Sequence, residues 1–226
     1  MTLKLVYFKM RALAEAPQLL LHYTGLEYQY QMSWDYYDKA WAEAKSLVPF
    51  KQLPMLVIDD QHEICQSIAI MKYLEIQAGI NITNPVEAAK ADAILQSAQE
   101  LFFPLNPTVN FAVGDDFTNK RDEMMPALIS RFEDLDRALK MNNETFFIDQ
   151  TPRACEFTAF HHLDLSKKLD STILNKFPRL EKFLEDIMSI DSIKLYLDSR
   201  PELVDVSLEP KLVIDGVPHP TGVNKT

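Results

Sequence analysis

Residues 49–76, PFKQLPMLVIDDQHEICQSIAIMKYLEI, decide how the chain is read. A proline disfavours helix in the residue before it, so residues 49–54 read as an extended loop that delivers the chain into a strand. The uninterrupted apolar run at 55–58 is that strand, the Asp-Asp-Gln of 59–61 is a turn, and residues 63–65 return as a short hairpin arm. Ser67 then stands where the N-cap of a helix over 68–76 belongs.

Working outward towards the N-terminus, residues 3–7 alternate apolar and polar side chains as a strand does. Ala12, Ala16, Leu19, Leu20 and Tyr23 recur at helical spacing up to Gly25, a residue suited to end a helix. Residues 26–32 alternate again, and 35–44 form a short helical candidate. The resulting order, βαβ then αββα, is that of a thioredoxin-type α/β domain. The stretch at 81–85, NITNP, is a linker, and long helical patterns follow over 87–103, 119–140, 155–169 and 179–196. Residues 146–148, FFI, are the one place there where a strand fits. The expected division is an α/β domain over 1–80, an all-α domain over 81–200, and an extension over 201–226 whose residues 213–217 suit either a small hairpin or a mobile segment.

Composition narrows the function. The 226 residues carry 23 Lys and Arg against 33 Asp and Glu, a net charge of −10, which argues against a nucleic-acid partner. The first 80 residues hold seven cations against nine acids, so most of the negative charge falls on the helical part. No apolar run approaches the roughly 18 residues that span a bilayer, and the first residues lack the plan of a cleaved export signal. No membrane partner is expected. Cys65 and Cys155 form no CxxC, which fits a cytoplasmic chain, and no metal site is readable. Cys65 beside a helix start invites a redox reading, but a side chain pointing into the core is the favoured one. His161 and His162 lie about 100° apart on a helix and do not ligate one metal together.

Two features suggest a site. A cis bond before Pro54 would turn the backbone groups of Leu53 towards an extended peptide ligand, although an ordinary trans proline at a strand entry fits the same residues. Gln66 and Ser67 open a helix whose N–H groups and partial positive charge suit a carboxylate, although Ser67 alone also reads as a cap. Together they suggest an extended peptide bearing a carboxylate. Phe8, Met10, Phe102 and Phe103 suit either an apolar pocket or ordinary core packing.

Four segments, Tyr7-Phe-Lys-Met-Arg11-Ala-Leu-Ala-Glu15, Trp41-Ala-Glu-Ala-Lys45, Pro49-Phe-Lys-Gln-Leu-Pro54 and Gln66-Ser67-Ile-Ala-Ile-Met-Lys-Tyr-Leu74, jointly resemble the cytosolic glutathione transferases. Among these the chain is most similar to the sigma class, the group of glutathione-dependent prostaglandin D synthase and the cephalopod lens crystallins. The likeness is close over 3–77 and looser over 87–200. It implies a homodimer that binds glutathione as co-substrate, with Tyr7 as the catalytic hydroxyl on the sulfur and an apolar electrophile held against the helical domain. It places Trp41, Lys45 and Gln52 at the glycyl end, Leu53 with Pro54 against the cysteinyl unit, and Gln66 with Ser67 on the γ-glutamyl carboxylate. Glu100 falls where an acidic residue reaches across the dimer. Conjugation is the implied reaction. The alternatives are a glutathione-dependent isomerase and a non-catalytic, crystallin-like or ligand-binding relative.

The chain also departs from the pattern. Leu13 replaces a frequent arginine near the tyrosine, Pro17 interrupts the first helix unless it lies in its first turn, and Arg153-Ala-Cys-Glu156 replaces a Ser/Thr-x-x-Asp helix cap. Thr151 followed by Pro152 is an alternative start for that helix.

Overall fold

The four-stranded sheet has the order β2-β1-β3-β4, built from β1 (Leu3–Tyr7), β2 (Gln29–Met32), β3 (Met55–Ile58) and β4 (His62–Cys65). The computed structural model describes residues 1–110, 112, 114–142, 144–200, 213–214 and 217–218. β1 runs parallel to β2, whereas β3 runs antiparallel to both β1 and β4. All four residues of β3 are buried, as the apolar run required for a strand covered on both faces. β2 is shorter than the alternation over 26–32 suggests, and its side chains are only half-buried or exposed.

The first helix, α1 (Glu15–Thr24), ends at Gly25, whose φ of +69° is the left-handed cap conformation a side chain would strain. Pro17 occupies the first turn, where its missing N–H has no helical acceptor to lose. The single helix expected over 35–44 is two pieces, α2 (Ser33–Tyr37) and α3 (Trp41–Ala44), separated where Asp38 turns left-handed. The extended loop expected before Pro54 is in part a tight turn: the Lys51 N–H donates to the Val48 carbonyl, and Lys51 has a φ of +54°. The Leu53–Pro54 bond is cis. Ser67 is the first residue of α4 (Ser67–Gln77) and not its cap; Gln66 holds that position with a φ of +76°.

The helical part comprises α5 (Pro85–Gln99), α6 (Phe102–Asn110), α7 (Gly114–Asn142), α8 (Ala154–Leu169), α9 (Pro178–Met188) and α10 (Asp191–Ser199). The pattern read as one helix over 87–103 breaks after Gln99, and the one over 179–196 breaks at Ser189 and Ile190. Residues 146–148 form bends and no strand. The short strands β5 (Val213–Ile214) and β6 (Val217–Pro218) pair antiparallel, as the hairpin reading of 213–217 anticipates.

α8 is buried along nearly its whole length and packs against α1, α4, α5, α6 and α9. Its start does not use Thr151: Arg153 is the N-cap, and the Glu156 carboxylate accepts the N–H groups of Arg153 at 2.8 Å and Phe147 at 3.0 Å. The two parts are tied by polar contacts as well as by apolar packing. The Ala154 N–H donates to Glu75 on α4, and Lys72 bridges Glu75 and Asp92 on α5.

Candidate functional site

Strand register assembles the site. Val6, Met55 and Cys65 stand opposite one another across β1, β3 and β4, so the residues just beyond that row gather at one end of the sheet. These are Tyr7 at the end of β1, Leu53 and Pro54 before β3, and Gln66 and Ser67 after β4. Residues distant in sequence thus become neighbours through ladder hydrogen bonding alone.

A cleft of about 440 Å³ opens there, between the sheet end and the α5–α6 junction. Its wall includes Tyr7, Phe8, Met10, Trp41, Gln52, Leu53, Gln66, Ser67, Phe102 and Phe103, all singled out from sequence. Pro54 is buried behind this wall, and Lys45 is exposed on a 3-10 turn outside it. Glu100 also lies off the wall, where its carboxylate pairs with Arg131 of α7 at 2.6 Å. Five further residues line the cleft: Leu13, Lys51, Ile68, Gln99 and Asn106. Lys51 stood in plain view in the stretch that decides the fold, but its side-chain direction depends on the left-handed turn. Asn106 carried no signal, because the helix that presents it was not legible.

Tyr7 is 4% exposed. Its hydroxyl oxygen accepts the Leu13 N–H at 3.4 Å, which leaves its own proton for an acceptor in the cleft. Burial raises the Tyr7 pKa well above the ordinary tyrosine value, so the group is a neutral donor throughout the physiological range. The loop after β1 is pinned from β2, where the Tyr30 hydroxyl donates to the Phe8 carbonyl at 2.6 Å. Phe8 in turn packs between Tyr7 and Trp41, with ring centroids 5.1 and 5.2 Å away. From below, His161 on α8 donates to the Ala12 carbonyl at 2.7 Å.

The other side of the cleft is prepared for negative charge. At the start of α4 the first N–H groups have no intrahelical acceptors, and the side chain of the N-cap residue Gln66 makes no cap bond. Lys51 adds a cation, and no carboxylate appears among the described residues of the wall. Cys65 is buried and its thiol pKa is raised, chiefly by desolvation, as a core side chain's would be. His161 and His162 are both buried, each bonded to a backbone carbonyl. No group of three His, Cys, Asp or Glu suited to a metal occurs among the described residues.

Residues 1–75 match the family model for the glutathione S-transferase N-terminal domain, and residues 105–200 match that for the C-terminal domain. Probable glutathione S-transferase 6 of Caenorhabditis elegans is 29% identical over 204 residues, covering 88% of this chain and 97% of the relative. Hematopoietic prostaglandin D synthase of Gallus gallus is 30% identical over 208 residues, covering 88% and 96%. Among solved structures, a monomeric glutathione S-transferase of the hookworm Necator americanus superposes with a TM-score of 0.78 at 25% identity, covering 89% of this chain and 98% of that one. With both domains matched in order and relatives that align over nearly their full length, the chain belongs to the glutathione S-transferase family.

Proposed function

We propose that this transferase binds glutathione in the cleft described above, with Tyr7 donating its hydroxyl proton to the sulfur while the thiolate attacks an apolar electrophile. The observation that carries this reading is the Tyr7 hydroxyl itself: buried, neutral, accepting from Leu13, and with its proton free for a ligand. Leu53 offers its backbone to the cysteinyl unit, Gln66 and Ser67 with the α4 N-terminus take the γ-glutamyl carboxylate, and Trp41 and Gln52 flank the glycyl end. Lys51, which lines the cleft where Lys45 does not, is the cation for the glycyl carboxylate.

Magnitudes locate the catalysis. A thiol of pKa about 8.5 is only about 3% thiolate at pH 7, and lowering it by two units raises that about 25-fold. A Brønsted slope of about 0.4 to 0.5 makes each thiolate roughly eightfold less nucleophilic, so the net gain is about threefold. Most of the acceleration therefore comes from holding thiolate and electrophile in contact. Removing the donor in Tyr7→Phe is expected to lower kcat/KM for chlorodinitrobenzene about 10- to 100-fold, the value of a hydrogen bond to a charged group. Unchanged turnover would refute this role for Tyr7.

We read the chain as sigma-like, homodimeric and cytosolic, with the domain division near residue 80. The Gallus gallus relative supports the class and favours glutathione-dependent isomerisation as the second reading. The Necator americanus relative is monomeric, so sedimentation at assay concentration tests the dimer directly. A monomer would remove any role for Glu100 at a partner's site.

A further inference from the structure

The backbone turn that serves Tyr7 is held from outside the cleft, by a helix far along the chain. Between β1 and α1 the backbone passes through Ala12, whose φ of +30° lies on the side of the map where a side chain is strained. A 3-10 turn over Ala12–Ala14 follows, with Leu13 at its centre, and the Leu13 N–H is the group that reaches the Tyr7 hydroxyl. A strained turn persists only where neighbouring contacts over-determine it. His161 supplies one contact from α8, at the Ala12 carbonyl. The other anchor is Glu15, where the turn gives way to α1. The Arg11 carbonyl accepts the N–H groups of Ala14 at 2.9 Å and Glu15 at 3.1 Å, so Arg11 and Glu15 bracket the turn.

Glu15 is 1% exposed, and its carboxylate gathers donors from both domains. Oε1 accepts Arg200 Nη1 at 2.8 Å, and Oε2 accepts the Tyr196 hydroxyl at 3.0 Å, Arg11 Nη1 at 3.3 Å and Gln18 Nε2 at 3.4 Å. Tyr196 lies on α10 and Arg200 is its C-cap, 181 and 185 residues beyond Glu15. Tyr196 also stacks on His22 of α1, with ring centroids 4.1 Å apart, and the Tyr28 hydroxyl lies 3.2 Å from His22 Nε2. Burying an ion pair costs about as much desolvation as it returns, so this group adds little to stability. What it fixes is the place of Glu15, and hence of Leu13.

We propose that Arg200 and Tyr196 are positioning residues for the reaction: by clamping Glu15 they hold the Leu13 N–H on the Tyr7 hydroxyl, and so set how strongly Tyr7 donates to the glutathione sulfur. This rests on the transferase reading above. A hydroxyl that accepts one hydrogen bond donates its own proton more strongly, because the two bonds polarise each other. At 3.4 Å the Leu13 contact is at the long end of the range, so a shift of a few tenths of an ångström in the turn removes it. Neither Arg200, Tyr196 nor Glu15 lines the cleft, so the seam between α1 and α10 acts on the chemistry without touching a substrate.

The test follows the full-length protein with glutathione and chlorodinitrobenzene at neutral pH. Arg200→Gln is expected to lower kcat about three- to tenfold, with the glutathione KM moving less than about twofold. The ultraviolet absorbance of the bound thiolate should fall in step. Arg200→Lys, which keeps one charged donor to Glu15, should recover most of the loss. Tyr196→Phe removes a single oxygen, keeps the stacking on His22, and should show a smaller loss of the same kind. In a Tyr7→Phe background neither substitution should lower kcat or thiolate further, because the clamp acts through the Tyr7 hydroxyl. Losses of equal size with and without that hydroxyl, losses confined to the glutathione KM, or wild-type values in both Arg200→Gln and Tyr196→Phe would overturn the inference and leave the transferase reading intact. Turnover indifferent to Tyr7→Phe itself would overturn both. Circular dichroism identifies a variant that fails to fold, and Tyr196→Phe carries the test where Arg200→Gln does.

Discussion

At the scale of single residues, the site trades backbone comfort for chemistry. Lys51 adopts a φ of +54°, a conformation that costs a side chain about 1 kcal/mol relative to glycine, yet it brings a cation to the cleft wall. Lys51→Gly is therefore expected to raise the denaturation midpoint while weakening glutathione binding about two- to fivefold, the range for a solvent-exposed ion pair. Calorimetric titration beside thermal unfolding reads both signs, and Lys45→Ala should change neither by as much. Ser67→Ala should weaken binding more, by about 1 to 3 kcal/mol, because it removes a donor to a charged group. Tyr7 makes a prediction of a different kind. Since burial raises its pKa, its protonation does not change between pH 6 and 9, and any rise of rate with pH in that range reports the glutathione thiol. A tyrosinate absorbance that titrates with activity and is lost in Tyr7→Phe would contradict this.

At the scale of elements, local signals predicted starts better than stops. The stretch 81–85 read as a linker runs into the start of α5: Asn84 caps the helix, its side chain accepting the N–H groups of Val86 and Glu87, and Pro85 is its first residue, pre-set for the first turn. Asn84→Ala should cost about 1 kcal/mol in urea unfolding. The end of α5 was not legible, because Phe102, Phe103 and Leu105 continue an apolar run across the break and two prolines nearby obscure a new helix. The division of α9 from α10 was hidden similarly, since Ile190 is as apolar as the helical positions around it but is extended, with a ψ of 120°. The unusual start of α8 looked weak in sequence, for Arg153 has no side-chain acceptor. The structure gives the capping to Glu156, which satisfies two buried N–H groups at once. Glu156→Ala should therefore cost about 3 kcal/mol or more, well beyond an ordinary cap, and a loss below 1 kcal/mol would show that the two groups find other partners.

At the scale of the whole molecule, the helical core sets a pH window. Burial holds the His162 pKa well below the ordinary histidine value, while its Nδ1–H donates to the Ala98 carbonyl at 3.1 Å. The unfolded chain takes up a proton below about pH 6.5 that the folded one refuses, so stability is lost on acidification by up to about 1.4 kcal/mol per pH unit. Cys155 acts at the other end. Burial raises its thiol pKa, so above about pH 8.5 ionisation favours the unfolded chain. Glu156, whose pKa is also raised by burial, offsets part of the loss on acidification, because the folded chain takes up that proton before the unfolded one does. Urea unfolding across pH 5 to 10 is expected to show a plateau between about 6.5 and 8.5, and a monotonic curve would contradict it. The amino-acid sequence by itself determined the α/β and all-α parts, the family likeness, and most of the cleft wall, because these rest on local periodicity and on motifs contiguous along the chain. Tertiary structure alone decided that Lys51 lines the cleft and Lys45 does not, that Glu100 pairs with Arg131, and that Gln99 and Asn106 join the cleft wall. Those outcomes depend on backbone turns and on the packing of α5, α6 and α7, which no short stretch of residues encodes.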